Sequence, residues 1–321
     1  MKKIFLLVGI AIMLVLSCGN EGKNSSEAGG RKSKDSFKIG ITQIVAHPAL
    51  DSAREGFKDA FKEAGLKVVF DEKNANGEIA TANMIANNFV TEKVDMIYAI
   101  ATSTAQAAAQ STDKIPVVFS AITDPEAAGI LKKNVTGISD RVNVKQQLKL
   151  LLKLDSKIKK VGVIYNSSEQ NSKVQVDDLK KAASELGITI VEKSVTQVSE
   201  IPQASETLVK ESDALYLPTD NLVASVVNLI TEKAIKAKKI AFGAESAHVK
   251  GGALITQGVD YYEMGKEAGK IAIDILKNGK NPSEITFKKM DLNDIVINSK
   301  TLAAIGISLP EDIKSKAKTI D

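Results

Sequence analysis

The stretch KIGIT at 38–42 recurs in the second half of the chain as KVGVI at 160–164. EAGLKVV at 63–69 matches ELGITIV at 185–191, and the number of positions between the two partners is the same in both pairs. Two further matches follow in the same order, DMIY at 95–98 with DALY at 213–216 and VFSA at 118–121 with AFGA at 241–244. A repeat this long indicates two duplicated domains and not the short unit of a solenoid.

Each half alternates short apolar runs with longer amphipathic ones. Runs such as IGIT at 39–42 and MIYAI at 96–100 are continuous and β-branched, which is typical of strands buried on both faces. The segment SAREGFKDAFKEAG at 52–65 places its apolar residues at helical spacing, and Gly65 ends it as a left-handed cap would. The pattern predicts an α/β fold of two doubly wound, Rossmann-like parallel-sheet lobes.

Ligands of such sheets bind beyond the carboxyl ends of the strands, so the residues that follow the strands are the candidate site. In the first half these candidates are Gln43, Thr102, Ser103, Thr104, Ala121, Thr123 and Asp124. In the second half they are Asn166, Ser172, Asp220, Asn221 and Glu245. If the two edges face each other, the candidates line one cleft.

Three hydroxyl side chains interrupt the apolar run in IATSTAQ at 100–106. A Ser or Thr oxygen at this point can cap the helix that follows. The free N–H groups and the dipole of a helix start also favour an anion, such as an amino-acid carboxylate. The two roles are compatible, because one hydroxyl can cap while another contacts a ligand.

Acidic residues at the strand ends are candidate partners for an ammonium group. Asp220 beside Asn221 offers a charged acceptor together with amide donors and acceptors, and is the first choice. Asp124 precedes Pro125, so it can equally cap a helix. Glu245 can balance an ammonium group or remain hydrated.

The N-terminus MKKIFLLVGIAIMLVLSCGN predicts a secretory signal over 1–17, with two lysines, a short apolar core and small residues at its end. The apolar run is too short to span a bilayer well. VLSC at 15–18 resembles a bacterial lipobox, so Cys18 is the expected lipidated residue. The polar segment 18–36 then reads as a tether, and the protein is expected to be lipid-anchored to the cell membrane, facing the periplasm or the cell exterior.

Composition and motifs argue against an enzyme, a metal protein or a nucleic-acid binder. The chain has 321 residues and a formal charge of +4, with one Cys and two His. A single Cys excludes an intramolecular disulfide. No HExxH, GxSxG, GxGxxG or GxxxxGK[ST] motif is present, and we expect no metal and no cofactor. A Ser-His-Asp triad is recognised by geometry, so sequence alone does not exclude one that combines Ser103 with His47 or His248.

The strand-end segments resemble the substrate-binding lipoproteins of bacterial ABC importers of the tryptophan/tyrosine type. The resemblance runs from about 37 to 310 and includes GITQIVAHPALDSAREGF at 40–57, IPVVFSAITDPEAAGIL at 115–131 and YLPTDNLVAS at 216–225. One departure is Ser167-Ser168 after Asn166, where the family often has Pro-Gly.

The resemblance implies a type I periplasmic-binding-protein fold with three crossovers, which closes around an aromatic amino acid and delivers it to a cognate ABC permease. It places 37–140 and about 261–280 in lobe 1, and 141–260 and about 281–313 in lobe 2. A nucleoside remains an alternative ligand, and a sugar is a weaker one because the chain lacks Trp. A surface adhesin or sensor built on the same fold is the alternative from another functional class.

Overall fold

Two mainly parallel sheets organise residues 36–290 and 294–321, which are the residues that the computed structural model describes. The predicted signal, Cys18 and almost all of the tether lie outside this range. The first half contains β1 Phe37–Gln43, α1 Pro48–Glu63, β2 Val68–Asn74, α2 Ile79–Thr91, β3 Met96–Ile100, α3 Thr102–Ser111, β4 Val117–Ile122 and β5 Val135–Ser139.

The second half repeats the alternation. It contains α4 Val144–Leu154, β6 Lys160–Asn166, α5 Gln170–Glu185, β7 Thr189–Val195, a 3₁₀ turn Val198–Glu200, α6 Ile201–Glu211, β8 Ala214–Leu217, α7 Asn221–Ser225, α8 Val227–Lys236, β9 Ala241–Glu245, α9 Ser246–Lys250 and β10 Ile255–Val259. The C-terminal part contains α10 Tyr261–Leu276, a 3₁₀ turn Pro282–Glu284, β11 Lys288–Lys289, β12 Ile295–Asn298, α11 Ser299–Ile305, α12 Glu311–Lys314 and β13 Ala317–Ile320.

The strand orders confirm the duplicated fold. The first sheet runs β11-β5-β4-β3-β1-β2, with every pair parallel. The second runs β13-β12-β10-β9-β8-β6-β7, and only the β10–β12 pair is antiparallel. In both sheets the strand order reverses beside the first strand of the half, so the crevice at the carboxyl ends is the expected binding edge.

The chain passes between the sheets three times. It leaves the first sheet after β5, returns between β10 and α10, and passes to the second sheet again between β11 and β12. The sequence placed residues after about 280 in the second lobe, but β11 pairs with β5 of the first sheet, and Thr136 Oγ1 donates to Ile285 O at 2.7 Å. A strand of two lysines carries no apolar alternation, so nothing in the sequence indicated this pairing.

Helix α10 returns to the first lobe because small residues let its backbone approach α1. A Cβ at Gly265 would lie 2.0 Å from Ala53 O, and one at Gly56 would lie 2.1 Å from Tyr262 O. The core beneath α1 is aromatic, since Phe57 stacks on Tyr98 of β3 with ring centroids 3.8 Å apart. Within the described residues, no helix is both long and apolar enough to cross a membrane.

We expect Gly265→Ala to lower the free energy of unfolding by about 1–3 kcal/mol, because the added methyl must push α10 away from α1. Urea denaturation measures the change. The control is Lys270→Ala on the exposed side of the same helix, which should change stability by less than about 0.5 kcal/mol. Equal effects of the two substitutions would contradict the close approach.

Candidate functional site

The strand-end edges of the two lobes meet, and side chains hydrogen-bond across the boundary. His47 Nε2 lies 3.3 Å from Asn221 Oδ1. Gln106 Nε2 donates to Gln170 Oε1 at 2.9 Å, and the hydroxyls of Thr123 and Thr219 are 3.4 Å apart. Each contact joins the first lobe to the second, so the cleft is closed in this structure.

Closure leaves a cavity of about 10 Å³ between the lobes, which is about the space that one water molecule needs. The first lobe and the second crossover contribute His47, Leu50, Ala121, Asp140 and Tyr261. The second lobe contributes Asn171, Thr219, Asp220, Asn221, Ala224 and Glu245. Four of the residues chosen from the sequence line this cavity: Ala121, Asp220, Asn221 and Glu245.

Asp220 is held entirely by its own lobe. It caps α7 by accepting from Val223 N at 2.8 Å, and its other oxygen accepts from Asn166 N at 2.5 Å and Ser172 Oγ at 2.6 Å. Burial, followed by the neighbouring Glu169, raises the pKa of Asp220 to about 7. Asn166 and Ser172 therefore position Asp220, and neither lines the cavity.

Glu169 is a site residue that the sequence analysis did not select. It is buried, and its oxygens accept from Asn171 Nδ2 at 3.0 Å and from the backbone and side-chain nitrogens of Asn221 at 3.1 and 2.5 Å. These bonds use the Asn221 amide nitrogen and leave its Oδ1 to face His47 Nε2. In the sequence, Glu169 is a single acidic residue in the loop after β6. It was not selected because most acidic loop residues are exposed to water.

Glu245 at the end of β9 is buried, and neither of its oxygens has a hydrogen-bond partner among the described residues. His248 Nε2 lies 3.2 Å from Oε1 but does not form a hydrogen bond. Burial, and then the nearby Asp140, raise the pKa of Glu245 to about 8. Asp140 itself accepts from Tyr261 Oη at 2.7 Å and Thr123 Oγ1 at 3.1 Å, and burial raises its pKa.

Both histidines are neutral at pH 7. Burial lowers the pKa of His47 to about 4, and burial together with the charge of His47 lowers the pKa of His248 to about 3. Neutral His47 can donate from Nε2 to Asn221 Oδ1 and keeps Nδ1 as a buried acceptor without a partner. The bases that face this site therefore carry no positive charge.

The hydroxyls of IATSTAQ do not cap α3. The helix begins after Ala101, whose φ of 83° lies in the left-handed region, and no side chain accepts from its first turn. Thr104 Oγ1 donates backwards to Ile100 O at 2.7 Å, whereas Thr102 Oγ1 is buried without a partner and Ser103 is half-buried. The first N–H groups of the helix have no intrahelical acceptor.

Gln43 and Asp124 are engaged within or beside the first lobe. Gln43 Nε2 donates to Val45 O at 2.8 Å and to Asp51 Oδ1 at 2.9 Å, which fixes the loop after β1. Asp124 accepts from Ala127 N at 2.9 Å and pairs with Arg141 at 2.5 Å. Neither residue lines the cavity.

The sequence profile of the ABC transporter substrate-binding proteins matches residues 38–320. The chain belongs to this family. A relative, the tyrosine-binding protein of Clostridioides difficile (strain R20291), is 39% identical over 319 residues, which cover 95% of this chain and 92% of the relative. The chain is therefore a substrate-binding protein of an ABC transporter, as the sequence predicts.

The arrangement of the lobes in this substrate-binding protein can be compared with two solved structures, one with a ligand and one that is open and ligand-free. A Streptococcus pneumonia domain in complex with L-Trp is 32% identical, covers 88% of this chain and 100% of its own, and gives a TM-score of 0.83. A ligand-free, open substrate binding protein with adhesive properties from Clostridium difficile is 42% identical but gives a TM-score of 0.68, with coverage of 89% and 99%. The shape is closer to that of the L-Trp complex, although the sequence is closer to the open protein. The type I periplasmic-binding-protein fold is confirmed.

Ser172→Ala removes one donor from the buried Asp220 carboxylate, and we expect it to lower the free energy of unfolding by about 1.5–3 kcal/mol. Ser168→Ala in the loop before α5 is the control, because Ser168 is exposed. Urea denaturation of both variants provides the comparison. A Ser172→Ala variant as stable as the control would show that Asp220 does not depend on this hydroxyl.

Proposed function

We propose that this substrate-binding protein holds an aromatic amino acid in the cavity between its lobes and delivers it to a membrane permease. The observation that carries this proposal is the carboxylate of Glu245, which has no hydrogen-bond partner in the described part of the chain and faces a cavity that no described Lys or Arg lines. Such a carboxylate fits the ammonium group of an amino acid. The relative named for tyrosine binding and the neighbour that contains L-Trp support an aromatic side chain.

The geometry favours Glu245 over Asp220 as the partner of the ammonium group. Asp220 already accepts three hydrogen bonds from its own lobe, and Asp124 is engaged by Arg141. Both oxygens of Glu245 remain available, and Asp140 lies beside it to reinforce the negative potential.

The start of α3 is the proposed site for the ligand carboxylate. Its first-turn N–H groups, at Thr102 and Ser103, are free of intrahelical partners, and the helix dipole favours an anion there. The buried, unpartnered Thr102 Oγ1 adds a donor. Leu50, Ala224 and the ring of Tyr261 supply apolar surface near the cavity for the side chain.

Binding requires the lobes to part, because the cavity now has room for about one water molecule. The direct side-chain hydrogen bonds across the boundary, such as that of Gln106 with Gln170, join neutral groups. Arg141 in the first crossover also pairs with Asp124 of the first lobe and Asp178 of the second. A neutral hydrogen bond contributes about 0.5–1.5 kcal/mol net, so these contacts can be exchanged for ligand contacts.

A ligand screen by thermal shift and calorimetry tests the proposal. L-tyrosine, L-tryptophan and L-phenylalanine should raise the unfolding midpoint, and a ligand at 100 times its Kd stabilises the folded state by about 2.7 kcal/mol. Adenosine, uridine, glucose and myo-inositol serve as comparison ligands. A shift with nucleosides or sugars and none with aromatic amino acids would overturn the amino-acid assignment.

Lipid anchoring through Cys18 is the second part of the proposal and is supported by the lipobox-like VLSC at 15–18. We expect Cys18→Ser to abolish the incorporation of labelled palmitate into the protein, because it removes the only thiol in the chain. Ser17→Ala is the control, since it leaves that thiol in place. Palmitate labelling of the Cys18→Ser variant as strong as that of the unsubstituted protein would contradict lipidation at this residue.

A further inference from the structure

The ionisable groups around the cavity are of one sign. Glu245, Asp140 and Asp220 are carboxylic acids that line it, and His47 is neutral. Among the lining residues that the structure describes there is no Lys or Arg. Arg141 follows Asp140 in the chain, but it pairs with Asp124 and Asp178 outside the cavity.

Glu245 faces charged or titratable groups from three packed elements, and none offers a positive charge. His248 of α9 is kept neutral at pH 7 by burial, which, with the charge that His47 gains only at low pH, lowers the pKa of His248 to about 3. Asp140, in the crossover after β5, adds negative charge. Tyr261 of α10 gives its hydroxyl proton to Asp140 at 2.7 Å. The same hydroxyl faces Glu245 and lowers the pKa of that carboxyl, against the larger effect of burial.

The three carboxyl groups differ in the number of hydrogen bonds that they accept from the protein. Asp140 accepts two side-chain hydrogen bonds and Asp220 accepts three hydrogen bonds, so either can be ionised with part of the cost offset. Both oxygens of Glu245 lack a partner. An ionised Glu245 in the closed, empty cleft would therefore be a buried charge that accepts no hydrogen bond from the described residues, which is strongly unfavourable.

We propose that Glu245 makes closure of the cleft conditional on a positive charge beside it, which is the ammonium group of the ligand or, in the empty protein, a bound proton. The ligand half of this statement rests on the proposed function. The proton half rests only on the cavity. Opening the lobes exposes Glu245 to water, where it ionises as an ordinary carboxyl does, and closing them requires the charge to be matched or removed.

The direction of the pH effect follows from the raised pKa. Burial in the closed, empty form moves the pKa of Glu245 from 4.5 to about 8. Protonation of Glu245 stabilises the closed form of the ligand-free protein. This stabilisation is fully present below about pH 4.5 and is lost as the pH rises through about 8. Between these limits the ratio of closed to open empty protein falls by up to about tenfold per pH unit.

The same constraint selects ligands. An amino acid brings its ammonium group to Glu245 and closes the cleft without proton uptake. A deaminated analogue of the same shape leaves the carboxylate unpaired, so closure around it must take up a proton. Glu245 is then the residue by which the protein distinguishes amino acids from their keto- or propanoate counterparts.

The first experiment uses no ligand. Small-angle X-ray scattering of the purified protein between pH 5 and pH 9 should show a compact form at pH 5 and an expanded form at pH 8. Glu245→Gln should stay compact at pH 8, with a closed-to-open ratio at least about tenfold above that of the unsubstituted protein. Glu263→Gln, an exposed carboxyl on α10, should follow the unsubstituted profile. A radius of gyration that does not change with pH, or one that changes identically in Glu245→Gln, overturns the inference.

The second experiment compares L-tyrosine with 3-(4-hydroxyphenyl)propanoate by calorimetry at pH 7.5. The unsubstituted protein should prefer the amino acid by about 100-fold or more, and Glu245→Gln should narrow this preference at least tenfold, mainly through weaker binding of L-tyrosine. Equal affinities in the unsubstituted protein, or an unchanged preference in Glu245→Gln, overturn the inference. A thermal midpoint of Glu245→Gln at or above that of the unsubstituted protein shows that the variant folds.

The two proposals fail in different ways. If L-tyrosine, L-tryptophan and L-phenylalanine all fail to bind, the proposed function is wrong, and the scattering experiment still decides whether Glu245 controls closure. If they bind but empty closure is independent of Glu245, the proposed function stands and the inference does not.

Discussion

A buried carboxylate that accepts no hydrogen bond needs a cation or a proton, and in our proposal this constraint governs how the two lobes meet. Acidic residues that follow strands of both sheets line one small cavity. The basic residues beside them are histidines, which burial keeps neutral. Hydrogen bonds satisfy Asp220 and Asp140, which leaves Glu245 as the acid whose charge state depends on what else occupies the cavity. Closure and recognition are thereby parts of the same electrostatic problem.

The sequence predicted the architecture because each level of its pattern agreed. β-branched runs, helical stripes and the long repeat all indicated two parallel sheets, and the rule for strand ends placed the cleft. The assignment of β11 was wrong because the strand is two exposed lysines whose pairing with β5 is fixed by tertiary contacts. Local patterns carry no information about such a strand.

The site was only partly predictable for a related reason. Their positions at strand ends identified Asp220, Asn221 and Glu245 as candidates. Their separate roles depend on which of their side-chain oxygens already accept hydrogen bonds from the protein. The sequence preferred Asp220 for the ammonium group, since it stands beside Asn221. The structure shows that the end of β6 and the first turn of α5 bring donors to Asp220, and such long-range contacts cannot be read from a chain position. Glu169 and Asp140 were overlooked because a single acid in a loop is usually hydrated.

The network around Asp220 has a consequence for the order of events in recognition. Its donors, Asn166, Ser172 and Val223, all belong to the second lobe, and Glu169 fixes Asn221 from the same lobe. We therefore expect that half of the cavity to keep its shape whether or not the first lobe is docked on it. An arriving solute then meets preorganised side chains on the second lobe. Most of the conformational entropy lost on binding therefore comes from the motion of the first lobe, and little comes from the side chains that contact the solute.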